Sequence, residues 1–273
     1  MQVTLTKHQA LGNDFLVYDL RQGKPTGAWD VLARRWCDRR FGIGADGLLI
    51  LENHGDQHLA MLLFNADGSR AEISGNGIRC LVQAAHNSDG RPQGVTYVVS
   101  TDAGVRHVEV VNDDGKQTIQ ASVSMGVVGD LPVPEHWDSL GCHPDRPVAH
   151  LSLGNPHSVV GVDDVVEVGL RDLGEKVPHV NLEIVAPGPE NDAITMRVHE
   201  RGAGITLACG SGACASAYAA LSWGLVPSNA KADVQEVTVH MDGGDARVRI
   251  NRATREAVLV GPSAFIATVM VDA

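Results

Sequence analysis

Two short stretches carry the same chemistry-bearing pattern: ISGNGIRCLVQAA, from Ile73 to Ala85, and ACGSGACASAYAA, from Ala208 to Ala220. Each sets a hydroxyl or thiol residue before Gly-x-Gly and follows it with an apolar, alanine-bearing run. Ser74 and Cys209 hold the equivalent places and lie about half of the 273-residue chain apart, which suggests a duplicated domain with one site between the halves. Glycines there let backbone N–H groups converge where a loop turns into a helix, and such a helix start attracts an anion. A carboxylate held by two of these ends would have Ser74 and Cys209 on its two sides. Opposed proton-transfer groups flanking one carbon suit inversion of a stereocentre.

The elements that must position these residues repeat in the same order. The first half reads as strand, Gly-Asn-Asp turn and strand over VTLTKHQALGNDFLVYDL, then a helix over WDVLARRWCDRR. Apolar runs GLLILE and HLAMLLFNADGS follow, then the Ser74 helix, then alternating strands over VTYVVSTDAGVRHVEVV and KQTIQASVSMG. The second half repeats this with VAHLSLGNPHSVVGV, a helix near Val165 to Gly174, VNLEIVAP, AITMRVHERGAG, the Cys209 helix, and strands over VQEVTVHM, ARVRI and EAVLVG. The Pro-, Gly- and Asp-rich segment VVGDLPVPEHWDSLGCHPDRPVAH is the expected connection between halves.

Within that repeat Asn65 and Glu200 stand at equal offsets upstream of Ser74 and Cys209. Each half also opens on a Gly-Asn turn, with Asn13 in LGNDF and with Asn155 and His157 in LGNPHS. Together with Asn181 and Arg201 these residues would line one polar cleft. Gly42 and Gly44 in FGIGADG have a phosphate-loop look, but no G-K-[ST] follows, so they read as turn glycines.

Composition narrows the partners. A net charge of −11 offers no basic footprint for nucleic acid or an anionic membrane surface. No apolar run approaches the roughly 20 residues needed to span a bilayer, and the start MQVTLTKHQ lacks a signal-peptide core, so a cytoplasmic protein is expected. Five cysteines, at 37, 80, 142, 209 and 214, show no C-x-x-C or C-x-x-H spacing, so unbridged thiols and no structural zinc are expected. Cys80 and Cys214, inside the helical runs, read as core residues, and Cys37 and Cys142 read as chemically inert. Cys209, at a helix start, is expected to hold a stabilised thiolate.

Over essentially the whole chain these motifs resemble the diaminopimelate epimerases, cofactor-independent amino-acid racemases. KHQALGNDF, DRRFGIGADGLL, FNADGSRAEISGNGIRC, GNPHSVV and ERGAGITLACGSGACA are similar to five of the family's motifs, in order. The resemblance implies an α+β fold of two pseudo-symmetric lobes, each a strand-rich barrel-like sheet around a central helix. Residues 1–120, completed by 263–273, would form the N-terminal lobe and 121–262 the C-terminal one. It implies epimerisation of LL- to meso-diaminopimelate by two-base proton transfer, in lysine biosynthesis, with no cofactor and no metal. Cys209 and the residue at 74 would be the two bases, with His157 and Glu200 poising their protons. Arg201, Asn13, Asn65, Asn155 and Asn181 would grip the substrate, and the amides of Gly75, Asn76, Gly210 and Ser211 would receive the α-carboxylate.

The chain departs from the family pattern at three places. Ser74 stands where the family has a catalytic cysteine, and a serine hydroxyl is a poor base near neutral pH without an activating neighbour. It is read either as an introduced exchange or as a natural variant; serine is also a good N-cap, and the two roles are compatible. Ile205 stands where the family commonly has glutamate, and the stretch HVNLEIV at Asn181 is shortened. Two other readings stay open: a one-base racemase or dehydratase of related fold using Cys209, and a non-catalytic amino-acid-binding homologue. Exposed strand edges are compatible with a homodimer.

Overall fold

The computed structural model describes residues 2–229 and 231–272. The first and last residues of the division expected from the sequence lie outside them. Two compact units are present, one holding the residues up to Val123 together with those from Gly261, the other Ser124–Val260.

The first unit contains β1 (Gln2–Ala10), β2 (Asn13–Asp19), α1 (Trp29–Cys37), β3 (Gly47–Asn53), β4 (His58–Asn65), β5 (Arg70–Ala71), α2 (Gly75–Ser88), β6 (Thr96–Thr101), β7 (Gly104–Asp113) and the start of β8 (Thr118–Val127). The second contains the end of β8, then β9 (Gly129–Asp130), β10 (Val148–Ser152), β11 (Pro156–Gly161), α3 (Leu170–Lys176), β12 (Asn181–Pro187), β13 (Ala193–Glu200), β14 (Gly204–Thr206), α4 (Gly210–Trp223), β15 (Val234–Met241) and β16 (Gly244–Asn251). The chain then returns to the first unit through β17 (Glu256–Asp272).

In the first unit the pairing runs β1, β2, β3, β4, β6, β7, β8, β17 and back to β1, a closed eight-stranded barrel. Two neighbouring pairs are parallel, β2–β3 and β4–β6. A parallel pair needs a crossover rather than a hairpin, and α1 and α2 supply them. The second unit repeats the plan: β11–β12 and β13–β15 are its parallel pairs, and α3 and α4 are the crossovers. There β9 pairs with β10, and the Val128 N–H donates to the Arg255 carbonyl just ahead of β17.

α2 packs against β1, β2, β3 and β4 and is buried from Asn76 to His86. Several of its interior polar groups are hydrogen-bonded: Gln83 contacts His8, Ser263 and the Gln117 carbonyl, and His86 Nε2 contacts Asp113, while His86 Nδ1 has no hydrogen-bond partner among the described residues. α4 packs against β10, β11, β12, β13, β15 and β16, and its alanines are buried on all sides. The helix expected near Val165 to Gly174 begins only at Leu170, because the Asp164 carboxylate takes the Val166 N–H into a turn. The expected connection folds within the second unit as β9 and a 3-10 turn over Trp137–Leu140. Gly44 has a left-handed φ of +83°, and a Cβ on Gly42 would stand 2.3 Å from the Arg35 carbonyl, so both serve the turn as glycines must.

Candidate active site

In the first unit Ser74 is the N-cap of α2. Its backbone is extended, at φ −137° and ψ 123°, and its Oγ accepts the Gly77 N–H at 3.0 Å. The helix start behind it is braced by Arg79, which is fully buried. Arg79 donates to the Gly75 carbonyl at 2.9 Å, to Asn76 Oδ1 at 2.8 Å and to the Pro262 carbonyl at 3.2 Å. The Asn76 amide then donates to Asn13 Oδ1 at 3.4 Å, and Asn13 donates to Asp46 at 2.5 Å. Asp46 shares Arg39 with Asp14, which also pairs with Lys7 at 2.9 Å. Ser74, Gly75, Asn76 and Asn13 are therefore one braced group. Asn65 stands apart from it, exposed at the end of β4 with its amide donating to Ser69 at 3.0 Å. No carboxylate, imidazole or amine hydrogen-bonds to Ser74 Oγ among the described residues.

In the second unit Cys209 repeats the geometry as N-cap of α4, at φ −125° and ψ 115°, its sulfur accepting the Gly212 N–H at 3.4 Å. Ser211 Oγ lies 3.6 Å from the sulfur, and the Asn155 amide donates to that hydroxyl at 3.3 Å. Asn155 Oδ1 meets His157 Nε2 at 3.0 Å, and His157 Nδ1 meets Glu183 Oε1 at 2.6 Å. His157 and Glu183 are both fully buried. Asn181 ties two backbone segments together, donating to the Pro156 carbonyl at 3.1 Å and accepting the Arg201 N–H at 2.9 Å. Glu200, at the end of β13, accepts from Thr206 at 2.5 Å. The Arg201 side chain is exposed and forms no ion pair among the described residues. A free guanidinium fork of this kind is suited to a carboxylate.

The expected stabilised thiolate at Cys209 is not what this environment produces. Burial first, then the carboxylates of Glu200 and Glu183, push its thiol well above the ordinary range, while the Gly212 N–H and the Ser211 hydroxyl pull it down. Desolvation and like charge outweigh the helix start. Cys209 therefore rests as a thiol. Cys80 and Cys214 are fully buried, and burial pushes Cys37 and Cys80 up to about 12.

Three functional neighbours escape a reading of motifs: Arg79, Asp46 and Glu183. Arg79 lies in the same run as Ser74, where a charged residue inside a buried helix was the available signal. Glu183 gave a comparable one, as an acid inside the apolar stretch VNLEIVAP.

A strand-rich unit around a buried helix, built twice, is a fold with solved counterparts. The fold matches that of a predicted epimerase from Pseudomonas aeruginosa, at a TM-score of 0.75 and 13% identity over 98% of this chain and 99% of that one. It also matches a hydroxyproline epimerase from Agrobacterium vitis, at a TM-score of 0.65 and 14% identity, covering 99% of this chain and 91% of that one. These likenesses define the class by fold. Sequence narrows it: the diaminopimelate epimerase family model matches residues 5–129 and 150–266. The diaminopimelate epimerase of Thermosynechococcus vestitus is 36% identical over 96% of this chain and 97% of its own. The chain belongs to the diaminopimelate epimerase family.

Proposed function

We propose that this chain epimerises LL-diaminopimelate to meso-diaminopimelate without a cofactor, slowed by the serine at position 74. The observation that carries the reading is the matched pair of N-caps, Ser74 on α2 and Cys209 on α4, each accepting the N–H three residues on. In a two-base reaction one of these groups takes the α-proton and the other supplies one to the opposite face. Cys209, a thiol at rest, is the donor. Removal of the first proton falls to Ser74, whose hydroxyl is a far weaker acid than a thiol and has no hydrogen-bonded base beside it among the described residues. His157 and Glu200 poise the proton at Cys209. The amides at the starts of α2 and α4 take the α-carboxylate, and Arg201 with Asn13, Asn65, Asn155 and Asn181 holds the distal end. The same reading carries a place in cytoplasmic lysine biosynthesis and a homodimeric assembly; no helix among the described residues is long and apolar enough to cross a membrane.

The absence, among the described residues, of an activating group hydrogen-bonded to Ser74 favours a second reading, one-base chemistry through Cys209 alone. Incubation with LL-diaminopimelate in deuterated water, followed by NMR, separates the two. Deuterium at the α-carbon with meso product supports epimerisation, and exchange without inversion supports the one-base reading. Ser74→Cys is expected to raise epimerisation by about a hundredfold or more, the usual contribution of a positioned proton-transfer group. No gain on that substitution would refute the assignment of position 74 as a base.

A further inference from the structure

We propose that Glu183 is a positioning residue: through His157, Asn155 and Ser211 it orients the hydroxyl that hydrogen-bonds the Cys209 sulfur. The proposal rests on the reading of Cys209 as a proton-transfer group.

The argument is one of donors and acceptors. The His157 ring is held between two oxygens, Glu183 Oε1 at 2.6 Å from Nδ1 and Asn155 Oδ1 at 3.0 Å from Nε2. An amide oxygen only accepts, so Nε2 carries a proton and gives it to Asn155. One further proton is then shared between Nδ1 and Oε1. With its oxygen engaged by the imidazole, the Asn155 amide turns its N–H toward Ser211 Oγ. That hydroxyl, having received a donor, keeps its own proton to give, and the sulfur 3.6 Å away is in reach as its acceptor. Every donor in the series points from Glu183 toward Cys209. Reversing the Asn155 amide would require a bare Nε2 and would spend the Ser211 hydroxyl on Asn155 instead of on sulfur.

The burial of Glu183 fits the assignment. Both His157 and Glu183 are fully buried, and Glu183 Oε2 has no hydrogen-bond partner among the described residues. An uncompensated oxygen in such surroundings costs a carboxylate far more than a neutral carboxyl. Burial accordingly pushes the Glu183 carboxyl up, against the pull of His157. The proton shared with the ring therefore keeps Nε2–H in place in either of its positions. Glu183 also lies directly over the first turn of α4, where a Cβ on Gly212 would come within 2.6 Å of Oε1.

Alkylation of Cys209 by iodoacetamide, read peptide by peptide in the mass spectrometer across pH, tests the relay without reference to turnover. Glu183→Gln and Glu183→Leu both remove the carboxylate, but only glutamine keeps an N–H for Nδ1. The glutamine variant is expected to alkylate at Cys209 about tenfold faster than the leucine variant at the same pH, roughly the value of one hydrogen bond to a thiolate. Adding Ser211→Ala to both should erase the difference. Equal rates in the two single variants, or a difference that survives Ser211→Ala, would overturn the proposal. A measurement on the unaltered protein covers failure of the leucine variant to fold: the side-chain 15N resonances of His157 should show a proton on Nε2, as its hydrogen bond to Asn155 Oδ1 requires, and a bare Nε2 overturns it too. Absence of epimerase activity with the expected alkylation pattern would count against the proposed reaction and leave the relay standing.

Discussion

Two opposed influences meet at Cys209. The start of α4 offers its sulfur the Gly212 N–H, while burial and two carboxylates discourage charge there. A thiolate at rest would be a standing base; a thiol is a standing acid. The carboxylate of Glu200 is the largest charge contribution opposing the thiolate. Glu200→Gln is therefore expected to move Cys209 alkylation to lower pH, with the rate at neutral pH rising rather than falling. An unchanged or alkaline-shifted profile would mean that Glu200 does not act on this sulfur. At this scale the identity of the residue was legible and its protonation was not. The Gly-x-Gly after Cys209 announces a cap, but only the folded chain shows that Glu200 and Glu183 converge on it.

The first turn of α4 is crowded on purpose of function rather than of helix stability. Glycine in a helix interior ordinarily costs about 1 kcal/mol relative to alanine. At Gly212, however, a Cβ would stand 2.6 Å from Glu183 Oε1 and 3.2 Å from the Cys209 sulfur. Overpacking of this kind costs about 1–3 kcal/mol, so the steric term wins. Net of the propensity gain, Gly212→Ala is expected to destabilise the protein by up to about 2 kcal/mol in urea unfolding, not to stabilise it as the propensity alone would require. The strands and caps around this turn follow from sequence: the period-two runs, the Gly-Asn turns and the capping serine and cysteine all mark their elements. The stretch VNLEIVAP reads equally well as an apolar strand, which it is, since β12 is buried from Asn181 to Ala186. A strand buried on both faces leaves no solvent for an acid at its middle. Glu183 must therefore have a partner, and the parallel pairing of β11 with β12, which sets His157 opposite Asn181, decides which one. That pairing joins residues far apart in the chain, and no local pattern announces it.

For the whole molecule, the repeated order of elements and the family's fold were legible from the matched motifs. The return of the chain's last strand to the first was expected only through that resemblance, because no local pattern announces the pairing of β17 with β1, residues far apart in the chain. The interior that closure creates has its own pH response. His8, on β1, is fully buried between Gln83 and Thr6, and burial lowers it from 6.5 to about 4. Between those values the unfolded chain binds a proton at His8 that the folded chain refuses, so stability falls as pH falls through that window. At about 1.4 kcal/mol per pH unit, the loss is on the order of 3 kcal/mol by its lower end. Other groups add to this slope or oppose it: His150, also lowered by burial, adds to it in the same sense. His240, raised by Asp245 and Glu190 against its desolvation, contributes stability that is fully present below 6.5 and lost only as pH rises beyond it. Glu183, raised by burial, runs the opposite way: its folded form holds a proton that the unfolded chain releases above 4.5, so it favours folding as pH falls. Comparison of His8→Gln with the unaltered protein cancels all three. In urea unfolding at a series of pH values, the substitution is expected to remove close to one proton from the slope between about pH 6.5 and 4. It should leave the slope above pH 7 as it was. If the two curves run parallel through that window, His8 is not the group that makes the first unit sensitive to acid.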